Sequence, residues 1–208
     1  MTHGVHAVQH EVEHEIKHGN QHGGHTNLLD NINKKVALLI GVLALLLAFS
    51  ETLGKSAQTA AISYNIEAAN LWAFFQAKNI RRTVILTAAE EMTVNAPAAP
   101  EIIKASLTKQ IDSWQKTAAR YRSEPDVREG TLELAERAKE MEKKRDTAMA
   151  KYHHYEVASA AFQIGIVLAS ATVITGMMIL TWLAVGLGGI GLVFTAIGLV
   201  APHAVHLF

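Results

Sequence analysis

The chain has 208 residues, half of them hydrophobic, with 18% charged and a formal net charge of zero when His is neutral. Balanced charge gives no global attraction to nucleic acid, and the absence of cysteine excludes disulfides and thiolate chemistry. The averages hide a segregation: almost all charge lies between Lys17 and Glu156, and the 52 residues from Val157 to Phe208 contain no Asp, Glu, Lys or Arg. A spanning helix needs roughly 20 mostly apolar residues, so this run suffices for two. The expected fold is an all-α integral membrane protein with three transmembrane helices and a long antiparallel helical hairpin between the first and second spans.

Residues 1–35 form a His-rich polar tail. It does not read as a signal peptide, being polar, with its first apolar run starting late. His3, His6, His10, His14, His18, His22 and His25 recur every three or four residues. On a helix the first five share one face, with neighbours within reach of one metal ion. Gly19-Asn20 and Gly23-Gly24 interrupt any continuation. Neutral imidazole suits zinc, copper or nickel, with Glu11 and Glu15 as nearby oxygen donors. A defined centre needs fixed ligands and a supporting shell, so the expectation is a solvated tail with weak metal capture and no resident cofactor. Several His would also charge together below about pH 6.5.

The first span is expected over residues 36–53, "VALLIGVLALLLAFSETL", with Lys34 and Lys35 before it and Lys55 after it. Leu and Ala cover every face rather than one stripe, which favours a spanning helix over a buried soluble one. Residues 54–156 form the extramembrane hairpin. Nothing breaks a helix before Asn95-Ala-Pro97-Ala-Ala-Pro100, where Pro removes amide donors and clashes with the preceding turn. A second helix is expected from Pro100 to about Arg122, with Ile103, Leu107, Ile111 and Trp114 as its apolar stripe. Ser123-Glu-Pro125-Asp is the next break, and a third helix restarts at Asp126 or Thr131 and continues into the membrane. A helix of about 40 residues extends roughly 60 Å. Coiled coil is an option for parts of this region, but the heptads read as irregular. Residues 157–201 are expected to be two spans, with the turn at Thr175-Gly176-Met-Met or, alternatively, at Gly186 to Gly191. A short tail, residues 202–208, follows.

Four patterns are candidates for function. Glu51, about one turn inside the end of the first span, reads as a capping or snorkelling group with a cation path as the other reading, and Gln163, the other polar candidate, within the second span, could hydrogen-bond across helices. Ala158, Ala161, Gly165, Ala169, Thr172 and Gly176 make a continuous small-residue face on the second span, with Ala184, Gly188, Gly191 and Thr195 on the third. Such faces let helices approach closely in lipid. They serve packing within the chain or between subunits, and a thin three-helix bundle favours a homo-oligomer. His153-His154, flanked by Tyr152 and Tyr155, reads as an interfacial anchor ahead of a metal or proton site. Lys78, Arg81 and Arg82 read as a solvated face beside the aromatic residues Trp72, Phe74 and Phe75, with a phospholipid or partner surface as the other reading. No Walker loop, G-x-S-x-G or spaced His-Glu metal motif is present, and no enzymatic activity is expected.

The stretches "KKVALLIGVLALLLAFSE", "GKSAQTAAISYNIEAANLWAFFQAKNIRRT", "QIDSWQKTAARYRSEP" and "KYHHYEVASAAFQIGIVLASATVITG" together resemble an uncharacterised bacterial membrane-protein family, the domain of unknown function numbered 4337. The similarity covers residues 34–185 and leaves out the dense His tail. It implies a bacterial cytoplasmic membrane and three spans, and brings no activity with it.

Lys17, Lys34 and Lys35 on the N-terminal side, against a C-terminal tail without Lys or Arg, favour a cytoplasmic N-terminus. Lys143, Lys144, Arg145 and Lys151 argue for the reverse. The leading expectation is a non-enzymatic homo-oligomeric membrane scaffold or accessory subunit of a larger membrane complex, in contact with lipids and not with nucleic acid. The alternative is an oligomeric cation pore fed by the metal-collecting tail.

Overall fold

In the computed structural model, residues 33–204 are described with their side chains, and residues 4–32 only as backbone of the first helix. Four α-helices follow in order: α1 (Gly4–Asn95), α2 (Glu101–Arg122), α3 (Thr131–Thr175) and α4 (Met178–Val200). A single 3-10 turn (Ala96–Ala98) links α1 to α2. Three segments are long and apolar enough to cross a membrane: Asn33–Ala98, Thr131–Thr175 and Met178–Val200. The chain is therefore all-helical among the described residues, with the helices of a multi-pass membrane protein.

The breaks sit where backbone chemistry demands them. Pro97 occupies the first turn of the 3-10 segment, and Pro100, extended at φ −56° and ψ 141°, precedes Glu101. Proline has no amide to continue a helix but suits its first turn. Gly176 carries φ +70° between α3 and α4, a left-handed conformation that glycine adopts without a Cβ clash. Its amide still bonds the Thr172 carbonyl at 2.8 Å. The turn is thus the first of the two expected; Gly186–Gly191 runs uninterrupted inside α4.

The chain divides into two compact units: Met1–Gly54 with His153–Leu207, and Lys55–Tyr152. The second boundary falls before His153, where His154 and Tyr155 pack on α4.

In the first unit α1, α3 and α4 pack through small residues. Ala158, Ala169 and Ala184 are fully buried, as are the larger Leu43 and Phe162. Two clusters form the core: Val36 with Ala169 and Ala184, and Leu43 with Ala158 and Phe162. A Cβ on Gly191 would lie 2.6 Å from the Phe162 ring, and one on Gly188 would lie 2.8 Å from a Leu43 methyl. These glycines are the recesses that receive the large side chains. Polar ties also join the helices: the buried Ser50 hydroxyl donates to the Tyr155 carbonyl at 3.1 Å, and Thr181 donates to Thr172 at 3.1 Å.

In the second unit α2 and then α3 run antiparallel along α1. Trp72 Nε1 donates to Glu142 at 2.9 Å, and Arg145 donates to Asn65 at 3.3 Å. The core is Leu71, Leu134 and Ala138, flanked by Trp72, Phe75 and Met141. The return arm is interrupted at residues 123–130, where α2 ends and α3 begins. Gly130 is required there, since a Cβ would come within 2.6 Å of the Ser123 Cα and the Glu124 amide.

Contrary to the irregular heptads expected, α1 follows a strict seven-residue repeat. One set of its covered positions is Val36, Ile40, Leu43, Leu47, Ser50, Gly54, Ala57, Ala61, Tyr64, Ala68, Leu71, Phe75, Lys78, Arg82, Ile85, Ala89 and Met92, with Leu39, Leu46, Leu53, Ala60, Trp72, Asn79, Leu86 and Ala88 half-buried beside it. The spacing alternates four and three throughout, the period of left-handed helix packing. Alanines, Ser50, Lys78 and Arg82 in the seam conceal it from a search for large apolar residues.

Candidate functional site

The expected metal residues His3, His6, His10, His14 and His18 lie outside the residues described with side chains. Among the described residues, no group of three or more His, Cys, Asp or Glu is placed to hold a metal ion.

The other candidates are resolved. Glu51 and Gln163, 112 positions apart, meet on the outer face of the first unit, where the Gln163 amide donates to the Glu51 carboxylate at 3.2 Å. Both side chains are exposed. The small-residue face is consumed within the chain. Ala161 and Ala169 are buried, and a Cβ on Gly165 would lie 3.3 Å from the Ala184 carbonyl and 3.4 Å from Leu43. Gly188 accepts Leu43 in the same layer.

His154 departs from the interfacial-anchor reading. Its ring is 1% exposed, stacks on Phe194 with centroids 6.1 Å apart, and donates from Nε2 to the Pro202 carbonyl at 3.0 Å. The other ring nitrogen, Nδ1, is buried without a hydrogen-bond partner. A Cβ on Gly198 would meet the Tyr155 ring at 2.8 Å and the His154 Cβ at 3.1 Å, so Gly198 is the recess that admits both side chains. His153 is half-buried, its Nδ1 3.6 Å from Glu156.

Lys78 is the largest surprise. Rather than joining a solvated basic face, it is 7% exposed, and its ammonium lies 3.4 Å from Glu124 and 3.6 Å from Glu129. It also sits over the Phe74 ring at 5.2 Å and faces the Tyr121 ring at 6.0 Å, a favourable place for a cation. The two carboxylates belong to the α2–α3 connection, so one lysine ties α1 to the break in the return arm. Glu133, in the first turn of α3, completes the tie. It accepts from the Ser123 hydroxyl at 2.5 Å and the Glu124 amide at 3.3 Å. The Ser123 hydrogen bond, then backbone hydrogen bonds and Lys78, hold its carboxyl below the usual range. A sequence search misses this group because the lysine and its nearer carboxylate, Glu124, are 46 positions apart. Arg81 is exposed and Arg82 half-buried.

One cleft of about 400 Å³ opens between the end of α1 and α2, lined by Ala88, Met92, Leu107 and Trp114 among others. The α2 stripe expected from sequence thus faces α1 through Leu107 and Trp114, while Ile103 is 44% exposed.

The arrangement is one of helices tied by pairs: Ser50 to Tyr155, Trp72 to Glu142, Lys78 to Glu124 and Glu129, His154 to Pro202. The profile of the family described as Domain of unknown function (DUF4337) matches residues 32–201. The chain belongs to this family. The match takes in α1 from residue 32 onward and all of α2, α3 and α4, and begins beyond the last histidine of the tail, His25. No curated protein and no solved structure matches the chain. Within this DUF4337 chain, the buried polar residues described above act on one another, and their geometry is that of helix connection.

Proposed function

We propose that the protein is a non-enzymatic, homo-oligomeric membrane scaffold or accessory subunit of a membrane complex, in the cytoplasmic membrane of a bacterium with its N-terminus in the cytoplasm. The observation that carries the reading is the tie centred on Lys78. A buried cation held by two carboxylates and two rings is costly to assemble unless fully partnered, and here both carboxylates, Glu124 and Glu129, belong to the break in the hairpin's return arm, while the rings come from α1 and α2. Such a group fixes the form of an extramembrane element, which is what a docking or organising role requires. The flanking Lys34 and Lys35, against a C-terminal segment without Lys or Arg, support the orientation.

The test is the mass and symmetry of the native particle, extracted mildly and imaged with its lipids. A homomeric assembly without a hydrated axis, or co-isolation with a larger complex, supports the scaffold. A monomer that isolates alone overturns it.

A second reading rests on the Glu51–Gln163 pair. An exposed carboxylate beside the apolar face of a span invites a polar environment, and subunits arranged around that face would give a cation path. A ring with a hydrated axis, and a conductance lost in Glu51→Gln, would establish the pore in place of the scaffold.

A further inference from the structure

The packing of α1 against α2 is uneven along the second unit. Lys78 reaches the Tyr121 ring of α2 at 6.0 Å, whereas from Ala88 onward the two helices part around the cleft of about 400 Å³. Side-chain size explains the gap. Ala88, Ala96 and Ala99 carry only a methyl group each, and α2 places Leu107 and Trp114 across from them. A recess left by short side chains forfeits dispersion contacts along its walls, and a compact apolar body would supply them. One side of the cleft is polar: Glu91 and Asn95 of α1 also line it, and both are exposed. Among the described residues neither side chain makes a hydrogen bond or an ion pair.

Three features give the cleft a preference for positive charge. The first is the Glu91 carboxylate. The second is the end of α1 itself: no basic residue lies in its last turn, so the negative end of the helix dipole is uncompensated there. The third is Trp114, because an indole face is the strongest aromatic partner for a cation. The lysines of α2 do not supply the missing charge. Lys104 is engaged by Glu101 at 2.8 Å and Lys116 by Asp112 at 2.7 Å, and Lys109 stands about 160° around the helix from Leu107.

We propose that this cleft binds a compact organic cation, an amine or quaternary ammonium compound with an apolar body. Glu91 pairs with its charge, Trp114 takes the cation against its ring, and Met92 and Leu107 cover the apolar part. Size separates a small molecule from a protein partner. A volume of this order falls among ligand sites, about 300–1,000 Å³, whereas a specific protein interface needs about 800 Å² from each partner, far more than the eight residues lining the cleft can offer. The site lies wholly within the second unit of one copy, so it goes beyond the scaffold reading and is tested apart from it.

The test uses the full-length protein in a nonionic detergent, its methionine methyl groups labelled with carbon-13, and benzyltrimethylammonium as the probe. Met92 lines the cleft, so its methyl resonance, assigned by Met92→Leu, reports binding at this site rather than to detergent or elsewhere on the chain. A saturable shift of that resonance is expected, with a Kd on the order of 1 mM. Phenylmethanesulfonate, of similar size and opposite charge, should give none. Glu91→Gln should weaken binding by about two- to fivefold, the range for an exposed ion pair, and Trp114→Leu by a similar factor through loss of the indole face. Ala88→Phe, which places a ring in the cleft, should abolish the shift with helix content unchanged. A Met92 resonance unmoved at about 10 mM ammonium compound, ten times that Kd, overturns the proposal. So do equal shifts from the two probes, or wild-type affinity in Glu91→Gln. A shift that persists in a folded Ala88→Phe protein overturns it as well, because the ligand then binds outside the cleft.

Discussion

The two units use the same helices, α1 and α3, and hold them together in opposite ways. In the first unit the contacts are glycines and alanines against a few large side chains, with Gly188 and Gly191 recessed under Leu43 and Phe162. In the second they are large side chains plus ions: Leu134 is fully buried among Leu71 and Ala138, and Lys78 is clamped by two carboxylates. The difference is the one that lipid around the first unit and water around the second would produce. Where lipid covers a helix, apolar side chains gain nothing by leaving it, so close approach and dispersion must hold the bundle. Where water covers it, burying apolar surface drives packing, and polar pairs fix which surfaces meet.

If that contrast is right, the second unit should respond most to lost volume and the first to added volume. Leu134→Ala should cost about 2–5 kcal/mol, read as a lower denaturation midpoint for the hairpin helices. Gly191→Val should cost about 1–3 kcal/mol by driving a branched side chain into the Phe162 ring. It would appear as a lower melting temperature in mild detergent, whereas Gly186→Ala, with nothing within 4 Å of the new Cβ, should leave it unchanged. Equal losses from both glycines would break the comparison. Lys78→Ala should cost about 1–2 kcal/mol, below the value for a fully enclosed pair because Glu129 remains partly hydrated.

The smallest effect sharpens the picture of the hairpin break. Glu133 is held below the usual carboxylate range, chiefly by the Ser123 hydroxyl and backbone hydrogen bonds. A depressed folded-state value means its contribution is present above the ordinary carboxylate pKa and lost as pH falls through the depressed one. Glu133→Gln should therefore flatten the acid limb of the stability profile and leave neutral pH nearly unaffected. An unchanged acid limb would show that the carboxyl does not sense the fold.

Helix ends and the apolar segments were legible in the sequence because their causes are local: Pro97, Pro100 and Gly176 act on their own backbone, and hydropathy is a property of neighbours. The seam of α1 was not, because Ala57, Ala61 and Ala68 carry little hydrophobic signal and Lys78 and Arg82 read as surface. Lys78 becomes an interior residue only when Glu124 and Glu129 arrive from a distant turn. The same holds for His154, whose burial depends on a carbonyl 48 positions away and on the recess at Gly198. The small-residue face was visible, but its destination was not: spacing says that something approaches Gly165 closely and does not say that Leu43 and Ala184 of the same chain do so.

The link between α3 and α4 has a consequence for biogenesis. Gly176 and Met177 alone separate two apolar helices, and no Lys, Arg, Asp or Glu occurs between Val157 and the end of the chain. With so short a connection neither helix has slack to enter lipid alone, so the pair must partition as one folded hairpin. Its tip carries no Lys, Arg, Asp or Glu, so under the positive-inside rule the tip adds no charge preference of its own to the direction of insertion.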